Sequence, residues 1–291
     1  MSARHPIISV TGSSGAGTTS VKETFDRIFE REGISATPIE GDAFHRYDRA
    51  DMKSVMQEEG EKGNNHFSHF GPEANRLEDL ESVFKQFGED GTGRIRNYVH
   101  DETEAEIHAT PPGTFTDWRK IPADTELLFY EGLHGAVITE EINIAQHCDL
   151  KIGVVPVINL EWIQKIHRDK FDRGYSTEAI RDTILRRMPD YISYICPQFS
   201  ATDINFQRVP TVDTSNAFIA RYIPTADESM VVIRFKNPRG IDFPYMISMI
   251  HDSFMSRANT IVIPGGKLDI AMQLILTPMI LRLMERRRRT R

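Results

Sequence analysis

Residues 7–19 read IISVTGSSGAGTT, an apolar run followed by a glycine-rich turn. The apolar run 7–11 has the length and composition of a strand buried in a parallel sheet. After the glycine-rich turn, apolar residues recur at positions 21, 25, 28 and 29, the spacing of an amphipathic helix that Gly33 can end. Residues 34–39 have the pattern of a second strand. A strand, a glycine turn, a helix and a strand in this order predict the βαβ unit of an α/β fold.

The glycine turn follows the phosphate-loop pattern G-x-x-x-x-G-K-[ST], with one departure. Such a loop points successive backbone amides into a concavity that holds phosphate oxygens. Thr18 stands where the pattern has lysine, so another Lys or Arg must supply the missing positive charge. The alternative is a glycine turn that binds nothing. The predicted ATP-binding residues are Gly12, Ser13, Ser14, Gly15, Ala16, Gly17, Thr18 and Thr19.

Two carboxylates come at the ends of predicted buried strands. Asp42 follows residues 34–39, and Glu131 closes the apolar run 126–130. The carboxyl ends of parallel strands face the nucleotide in such folds, so Asp42 can accept the proton of an acceptor hydroxyl or hold Mg²⁺ through water. Glu131 and the Thr19 hydroxyl are predicted to position Mg²⁺ beside the phosphates. The alternatives are a turn or helix-cap role for Asp42 and a Glu131 that faces solvent.

A charged helical segment is the third candidate element. Lys165 and Asp169 stand at i and i+4, with Arg168 beside them. The alternative is an ordinary solvated ion pair, worth roughly a few tenths of a kcal/mol. We predict instead that Lys165 replaces the cation missing at Thr18, and that a lid over residues 170–190 carries arginines suited to bidentate phosphate binding. The arginines around this lid are Arg168, Arg173, Arg186 and Arg187.

His45 and Arg49 follow Asp42 at i+3 and i+7. If this segment is helical, the three side chains share one face. Asp42 as a base, with His45 and Arg49 on a sugar phosphate, is a chemically consistent set. The alternative for His45 is an ordinary surface histidine.

The whole chain, residues 1–291, is predicted to form a single α/β domain. An irregular segment over residues 88–124 is expected to lie around the active site. Asn159 and Ser176 are predicted helix caps. Further helices are expected at 48–63, 72–87, 159–173, 176–196 and 267–284, and further strands at 150–156, 229–235 and 260–263.

Composition narrows the class of protein. The net charge of −7 argues against a nucleic-acid partner, and the chain has no apolar run of about 18 residues that could span a membrane. The first residues lack the apolar core of a signal peptide, so we expect a cytoplasmic protein. Cys148 and Cys196 are then expected to be free thiols. The arginine run 286–289 is expected to be a solvated helix end.

Six longer segments resemble phosphoribulokinases of the bacterial kind. They are ISVTGSSGAGT, IEGDAFHR, FYEGLHG, VVPVINLEWIQKIHRD, INFQRVPTVDTSN and IPTADESMVVIRF, and the resemblance covers nearly the whole chain. Bacterial members share the threonine at position 18. The resemblance implies a fold similar to nucleotide monophosphate kinases, with a mixed, mostly parallel sheet flanked by helices. It also implies MgATP-dependent phosphorylation of D-ribulose 5-phosphate at the 1-hydroxyl, giving the ribulose 1,5-bisphosphate of the Calvin cycle.

The resemblance also implies roles for individual residues. Asp42 would be the base that accepts the 1-hydroxyl proton. Glu131 and Asp169 would organise Mg²⁺ and the phosphates, and Lys165 would stabilise the transferring phosphoryl group. The residues that would hold ribulose 5-phosphate are His45, Arg49, Arg168 and Arg173.

Regulation is implied in the same way. The bacterial enzymes are large homo-oligomers, with an octamer as one candidate, and they are activated by NADH and inhibited by AMP. Arg31, Arg234 and Arg257 are candidates for an effector site between subunits. Plant-type members are switched by a cysteine pair with one cysteine in the phosphate loop. This loop has Ala16 and no cysteine, so we predict no thiol switch.

Two other functions remain open from the residues alone. A uridine or pantothenate kinase would share the loop and the strand order but phosphorylate an acceptor without a phosphate, and the arginine cluster favours a phosphorylated one. A regulatory nucleotide-binding switch would explain the missing lysine. It would not require Asp42 or the charged cluster from Lys165 to Asp169.

Overall fold

The computed structural model describes residues 4–13, 18–171, 174–220 and 222–290. The strands of these residues are β1 (Ile7–Thr11), β2 (Ala36–Glu40), β3 (Arg94–Ile95), β4 (Arg119–Lys120), β5 (Leu127–Gly132), β6 (Leu150–Val155), β7 (Ile204–Pro210), β8 (Ser229–Phe235), β9 (Phe254–Arg257) and β10 (Thr260–Pro264). The α-helices are α1 (Thr18–Glu32), α2 (Arg49–Glu61), α3 (Leu77–Asp90), α4 (Glu102–His108), α5 (Ile158–Phe171), α6 (Thr177–Asp190), α7 (Gln198–Ala201), α8 (Phe243–Met249) and α9 (Leu268–Thr290).

Eight of these strands form one sheet in the order β2-β5-β1-β6-β7-β8-β10-β9. The first five are parallel, and β8, β10 and β9 pair antiparallel at the far side. Strand β1 lies in the parallel half, and all five of its residues are buried, which explains its continuous apolar run. The predicted α/β class with a mixed, mostly parallel sheet flanked by helices is confirmed.

The parallel sheet separates two apolar cores, and β5 contributes to both. Leu127 and Phe129 belong to the core under α1 and α9, where the Phe25 and Phe129 rings lie 4.6 Å apart. Leu128 and Tyr130 belong to the core under α3. Successive side chains of a strand point to opposite faces, so a strand covered on both sides is apolar throughout. This packing fixes the carboxyl ends of β1, β2 and β5 at one edge of the sheet.

Helix ends agree with several sequence signals. Gly33 has a φ of +63° directly after α1, a left-handed conformation that glycine adopts without strain. Ser176 caps α6, since its side chain accepts a hydrogen bond from Ala179 N at 3.2 Å. Asp48 caps α2 in the same way through Ala50 N and Asp51 N. Residue Pro72 begins a short 3₁₀ turn, and α3 follows it.

Other local predictions were wrong or incomplete. Asn159 is not a cap, because α5 begins at Ile158. The final helix runs to Thr290, six residues past the predicted end at Met284. Strand β7 was not predicted, and α4 lies inside the segment expected to be irregular. Among the described helices none is both long and apolar enough to cross a membrane.

Candidate active site

The edge of the sheet where β1, β2 and β5 end carries the predicted carboxylates. Gly12 N donates to Gly132 O at 3.1 Å, which ties the start of the glycine turn to β5. A side chain on Gly41 would lie 2.6 Å from Tyr130 Oη, and one on Gly132 would lie 2.7 Å from Gly41 Cα. Only glycine permits this close approach, so the turns bearing Asp42 and Glu131 are held next to each other.

Asp42 lies in a 3₁₀ turn directly after β2, with a histidine on either side. His45 Nε2 is 3.4 Å from Asp42 Oδ1, and His100 Nε2 is 3.9 Å from Asp42 Oδ2. The Asp42 side chain is 43 % exposed, so its carboxylate remains open to a ligand. His100 also lies 3.8 Å from Glu40 Oε2. The imidazole of His100 and the ammonium of Lys22 lower the pKa of Glu40 to about 2, and Glu40 raises the pKa of His100.

The expectation that Asp42, His45 and Arg49 share one helical face was wrong. Asp42 lies in the 3₁₀ turn, His45 is extended, and Arg49 is the first residue of α2. Asp48 caps α2 and therefore starts a new helix at this point. The three residues are nevertheless neighbours, because Arg49 Nη2 donates to the backbone oxygen of His100, whose ring lies beside Asp42.

Three histidines form a packed group behind Asp42. The rings of His45 and His69 stack with centroids 3.8 Å apart and planes 21° apart. His134 Nε2 lies 3.1 Å from the backbone oxygen of His69. Burial lowers the pKa of His45 and His69 and lowers that of His134 to about 4, so all three are neutral near pH 7. His45 is therefore a buried site residue rather than a surface histidine.

Lys165 and Asp169 form an ion pair on α5, as their spacing predicts, and Arg168 Nε lies 3.4 Å from Asp169 Oδ1. The Asp169 side chain is only 6 % exposed. Burial lowers the pKa of Lys165. The charge of Arg187 of α6 further lowers the pKa of both Lys165 and His45, so the α5 cluster and the Asp42 turn both lie within electrostatic range of this arginine.

Glu161 connects the glycine turn to α5. Ser13 Oγ donates to Glu161 Oε1, and Tyr191 Oη donates to Glu161 Oε2 at 3.3 Å. Burial raises the pKa of Glu161. Glu161 lies one helical turn before Lys165, so these contacts hold the predicted cation close to the end of β1.

The α6 arginines contact the segment that contains His69. Arg186 donates to the backbone oxygen of Phe67, and the Arg187 guanidinium lies 5.5 Å from the centre of the Phe70 ring. Both arginines thus lie on the same side as His45 and Lys165, where the lid was predicted.

Some predicted site residues fall outside the described part of the chain. Those residues are Ser14, Gly15, Ala16, Gly17 and Arg173, together with the side chains of Thr18 and Thr19.

The predicted effector arginines lie at the opposite edge of the sheet. Arg234 and Arg257 flank Thr260 on the two strands that pair with β10. Arg31 is in the last turn of α1 and donates to Thr277 Oγ1 of α9 at 3.0 Å. Arg31 lies near the end of α1 and Arg234 near the end of β8, and both elements run away from the phosphate loop. These arginines are therefore remote from that loop.

The chemistry of the donors suits a magnesium ion. Glu131 ends β5 directly opposite Glu40 of β2, and Asp169 is the second predicted carboxylate. Within the described ranges no three His, Cys, Asp or Glu side chains form a metal cage. Kinases bind Mg²⁺ through one or two carboxylates and the phosphates of the substrate, so Glu131 and Asp169 fit the ion without such a cage.

Several further site residues could have been predicted from the sequence. Glu40 precedes Asp42 at the end of the same strand, and two histidines occur within the aromatic segment His66-Phe-Ser-His69-Phe. Glu161 lies four residues before Lys165. His100 and His134 are distant in sequence from Asp42, and only the fold brings them to it.

A parallel sheet whose first strand enters a glycine turn, beside carboxylates and a helix-borne lysine, defines a P-loop kinase. Residues 7–215 match the model of the Phosphoribulokinase / Uridine kinase family. The chain belongs to this family.

Named relatives and a solved structure agree with that assignment. A phosphoribulokinase of Nitrobacter vulgaris is 71% identical over 98% of this chain and 99% of its own length. A phosphoribulokinase of Sinorhizobium medicae (strain WSM419) is 68% identical over 99% of each chain. The solved structure of phosphoribulokinase from Rhodobacter spheroides matches with a TM-score of 0.91 and 64% identity, covering 99% of this chain and 100% of that one.

Proposed function

We propose that this chain is a phosphoribulokinase that transfers the γ-phosphoryl group of MgATP to the 1-hydroxyl of D-ribulose 5-phosphate. The observation that carries the proposal is the open carboxylate of Asp42 between His45 and His100, at the edge where β1 enters the glycine turn. Relatives named phosphoribulokinase at 71% and 68% identity support the choice of acceptor.

Asp42 takes the proton of the 1-hydroxyl as that oxygen attacks the γ-phosphorus. A new O–P bond forms while the bond from the γ-phosphorus to the bridging oxygen of ADP breaks, and the leaving electron pair remains on ADP. The Asp42 carboxylate is suited to this role because it can accept a proton and is open on the ligand side. The neutral His45 ring beside it does not compete for the proton, since burial lowers its pKa.

Lys165 provides the positive charge that the phosphate loop lacks at Thr18. The charge of the transferring phosphoryl group spreads over its equatorial oxygens, and a fixed cation nearby stabilises that charge. Burial lowers the pKa of Lys165, and the ion pair with Asp169 opposes that effect and orients the ammonium group. Mg²⁺, held by Glu131, Asp169 and the Thr19 hydroxyl, would neutralise the phosphates and align them when bound.

Ribulose 5-phosphate carries its own phosphate, and the site offers guanidinium cations and the neutral imidazole of His45 for it. His45, Arg49 and Arg168 are the described members of the predicted set, and Arg173 is the fourth. Arginines grip phosphate oxygens in a bidentate geometry. Uridine and pantothenate have no phosphate at the far end, so these arginines favour ribulose 5-phosphate over the two alternative acceptors.

The test is ADP release from MgATP with four acceptors: ribulose 5-phosphate, ribose 5-phosphate, uridine and pantothenate. Fast turnover with ribulose 5-phosphate alone is expected. Turnover with uridine or pantothenate would mean that the chain is a kinase for an acceptor other than ribulose 5-phosphate. If no ADP is released with any of the four acceptors while ATP still binds, a regulatory nucleotide-binding switch would be favoured.

Regulation and assembly follow as finer parts of the proposal. We infer a cytoplasmic homo-oligomer of the Calvin cycle, with an octamer as the candidate assembly and NADH as an activator. Arg31, Arg234 and Arg257 are the proposed effector residues, and their position at the edge opposite Asp42 requires that any effect on turnover be transmitted through the sheet. The acceptor assay repeated with NADH, and sedimentation of the purified chain, test these two statements separately.

A further inference from the structure

The segment His66–Gly71, HFSHFG, runs between α6 and the Asp42 turn, and no role has been assigned to it so far. We call it the histidine strap. At one end its side chains are held by Asp190 of α6, whose carboxylate is almost fully buried. Asp190 Oδ1 lies 2.9 Å from His66 Nδ1, and Ser68 Oγ donates to Asp190 Oδ2 at 3.1 Å.

The strap also leaves no room for a side chain at its last residue. A Cβ on Gly71 would lie 2.9 Å from Asp190 Oδ2. The backbone oxygen of Phe67 accepts a hydrogen bond from Arg186 as well. These contacts to one helix fix the strap to α6, which bears the lid arginines.

Near its middle the strap contacts His45 through His69. The His69 ring stacks on the His45 ring at 3.8 Å, while Asn75 Nδ2 donates to the backbone oxygens of both His69 and Gly71 at 2.9 and 2.7 Å. His45 also forms an isolated β-bridge with Asn75. The ring of His45 therefore stacks on the strap, and its backbone pairs with Asn75, which is itself hydrogen-bonded to the strap.

Hydrogen bonding by Nδ1 does not explain why a histidine stands at position 69. Its Nδ1 is buried and has no hydrogen-bond partner among the residues that the structure describes. A buried polar atom without a partner costs free energy. We therefore attribute the histidine at position 69 to the stacking of its flat ring on His45, which an aliphatic side chain would not provide. The His69 ring stacks on the ring of His45.

We propose that His69 is a positioning residue for phosphoryl transfer: its ring holds the imidazole of His45 beside Asp42 in the orientation that binds the sugar phosphate. This inference rests on the proposed function, which makes His45 a ligand of ribulose 5-phosphate. In this proposal His69 acts through His45 and not on a substrate directly. The Asp190 contacts make the position of the His69 ring, and hence of His45, dependent on α6.

The test compares His69→Phe with His69→Leu. Phenylalanine keeps a flat ring that can stack on His45, and leucine does not. In His69→Leu the KM for ribulose 5-phosphate should rise about tenfold, because a misplaced binding group loses its ligand, while the KM for MgATP stays within about twofold. His69→Phe should recover most of the loss. His251→Leu, the same change at an exposed residue after α8, is the matched control.

A double-mutant cycle separates positioning from a general structural role. In a His45→Asn background, His69→Leu should cause no further rise in the KM for ribulose 5-phosphate, since His69 acts only through His45. If His69→Leu does not fold, His69→Gln gives the same loss of stacking with a polar side chain and replaces it in the cycle.

Three outcomes overturn the inference: an unchanged KM for ribulose 5-phosphate in His69→Leu, an equal rise in both KM values, or fully additive effects in the cycle. Each requires a wild-type enzyme that turns over ribulose 5-phosphate. If the wild-type enzyme does not turn over ribulose 5-phosphate, the proposed function is overturned, and the role of His69 with it. A failure of the proposed function is therefore distinguishable from a failure of the role of His69 alone.

Discussion

The Asp42 side of the site and the Lys165 side hold their charged groups in opposite ways. Asp42 is open to solvent, and the groups that support it from behind are buried neutral histidines. Lys165 and Asp169 are a largely enclosed ion pair, with side chains only 17 % and 6 % exposed. A base must meet the proton of a ligand, whereas a fixed cation must keep its charge and orientation. Substitutions on the two sides should therefore affect turnover and stability differently.

Asp42→Asn should have the largest effect on turnover and the smallest effect on folding. Loss of a general base commonly lowers kcat by about 10²–10⁴. The Asp42 side chain is 43 % exposed, and the amide oxygen of asparagine can still accept a hydrogen bond from His45, so the free energy of unfolding should change by no more than about 0.5 kcal/mol. Steady-state kinetics and urea unfolding measure the two quantities. Near-normal turnover would remove Asp42 from its role.

Lys165→Met should lower both turnover and stability. We expect kcat to fall about 10²-fold, with a smaller change in the KM for MgATP, because the ammonium acts mainly in the transition state. Removal of one member of a buried pair usually costs roughly 3–5 kcal/mol, and Arg168 remains beside Asp169, so we expect a loss of about 2 kcal/mol.

The double variant Lys165→Met/Asp169→Leu is the control for that loss. It removes both charges, and it should recover much of the stability without recovering turnover. If Lys165→Met is as stable as the wild type, then the ion pair is not the enclosed pair that its geometry indicates. If only the KM for MgATP rises, Lys165 binds the ground state instead.

The sequence predicted the sheet and the carboxylates better than it predicted the support around them. The phosphate-loop pattern and the apolar run 7–11 each consist of residues adjacent in sequence. The sequence alone was therefore sufficient to predict the strand and the loop. The Lys165–Asp169 pair followed from helical spacing. His69, His100 and His134 could not be found this way, because contacts between residues far apart in sequence require the fold.

The buried histidines should make stability depend on pH. His134 has its pKa lowered to about 4 in the folded protein, so it stays neutral there while the unfolded chain takes up a proton near pH 6.5. The unfolded state therefore binds more protons between these values, and stability falls as pH falls. For His134 alone the loss from pH 7 to pH 5 is about 2 kcal/mol.

The substitution His134→Gln tests whether His134 causes this pH dependence, because glutamine cannot be protonated between pH 5 and pH 7. Urea unfolding at pH 7 and pH 5 should differ less in the variant than in the wild type, by about 2 kcal/mol. Asp42→Asn is the contrasting variant, and it should leave the pH dependence from His134 in place. Equal pH dependence in the wild type and in His134→Gln would mean that the histidine does not stay neutral on folding.

The smallest effect is expected at Ser176, which caps α6 on the Lys165 side. Ser176→Ala removes the hydrogen bond to Ala179 N and should lower the free energy of unfolding by about 1 kcal/mol. Ser176→Asp retains a capping oxygen and should be close to the wild type. Since α6 carries Arg186 and Arg187, fraying of its first turn should also raise the KM for ribulose 5-phosphate slightly, by about twofold. An unchanged KM in a destabilised Ser176→Ala would show that the position of the α6 arginines is set by the Asp190 contacts at the other end of the helix and not by its cap.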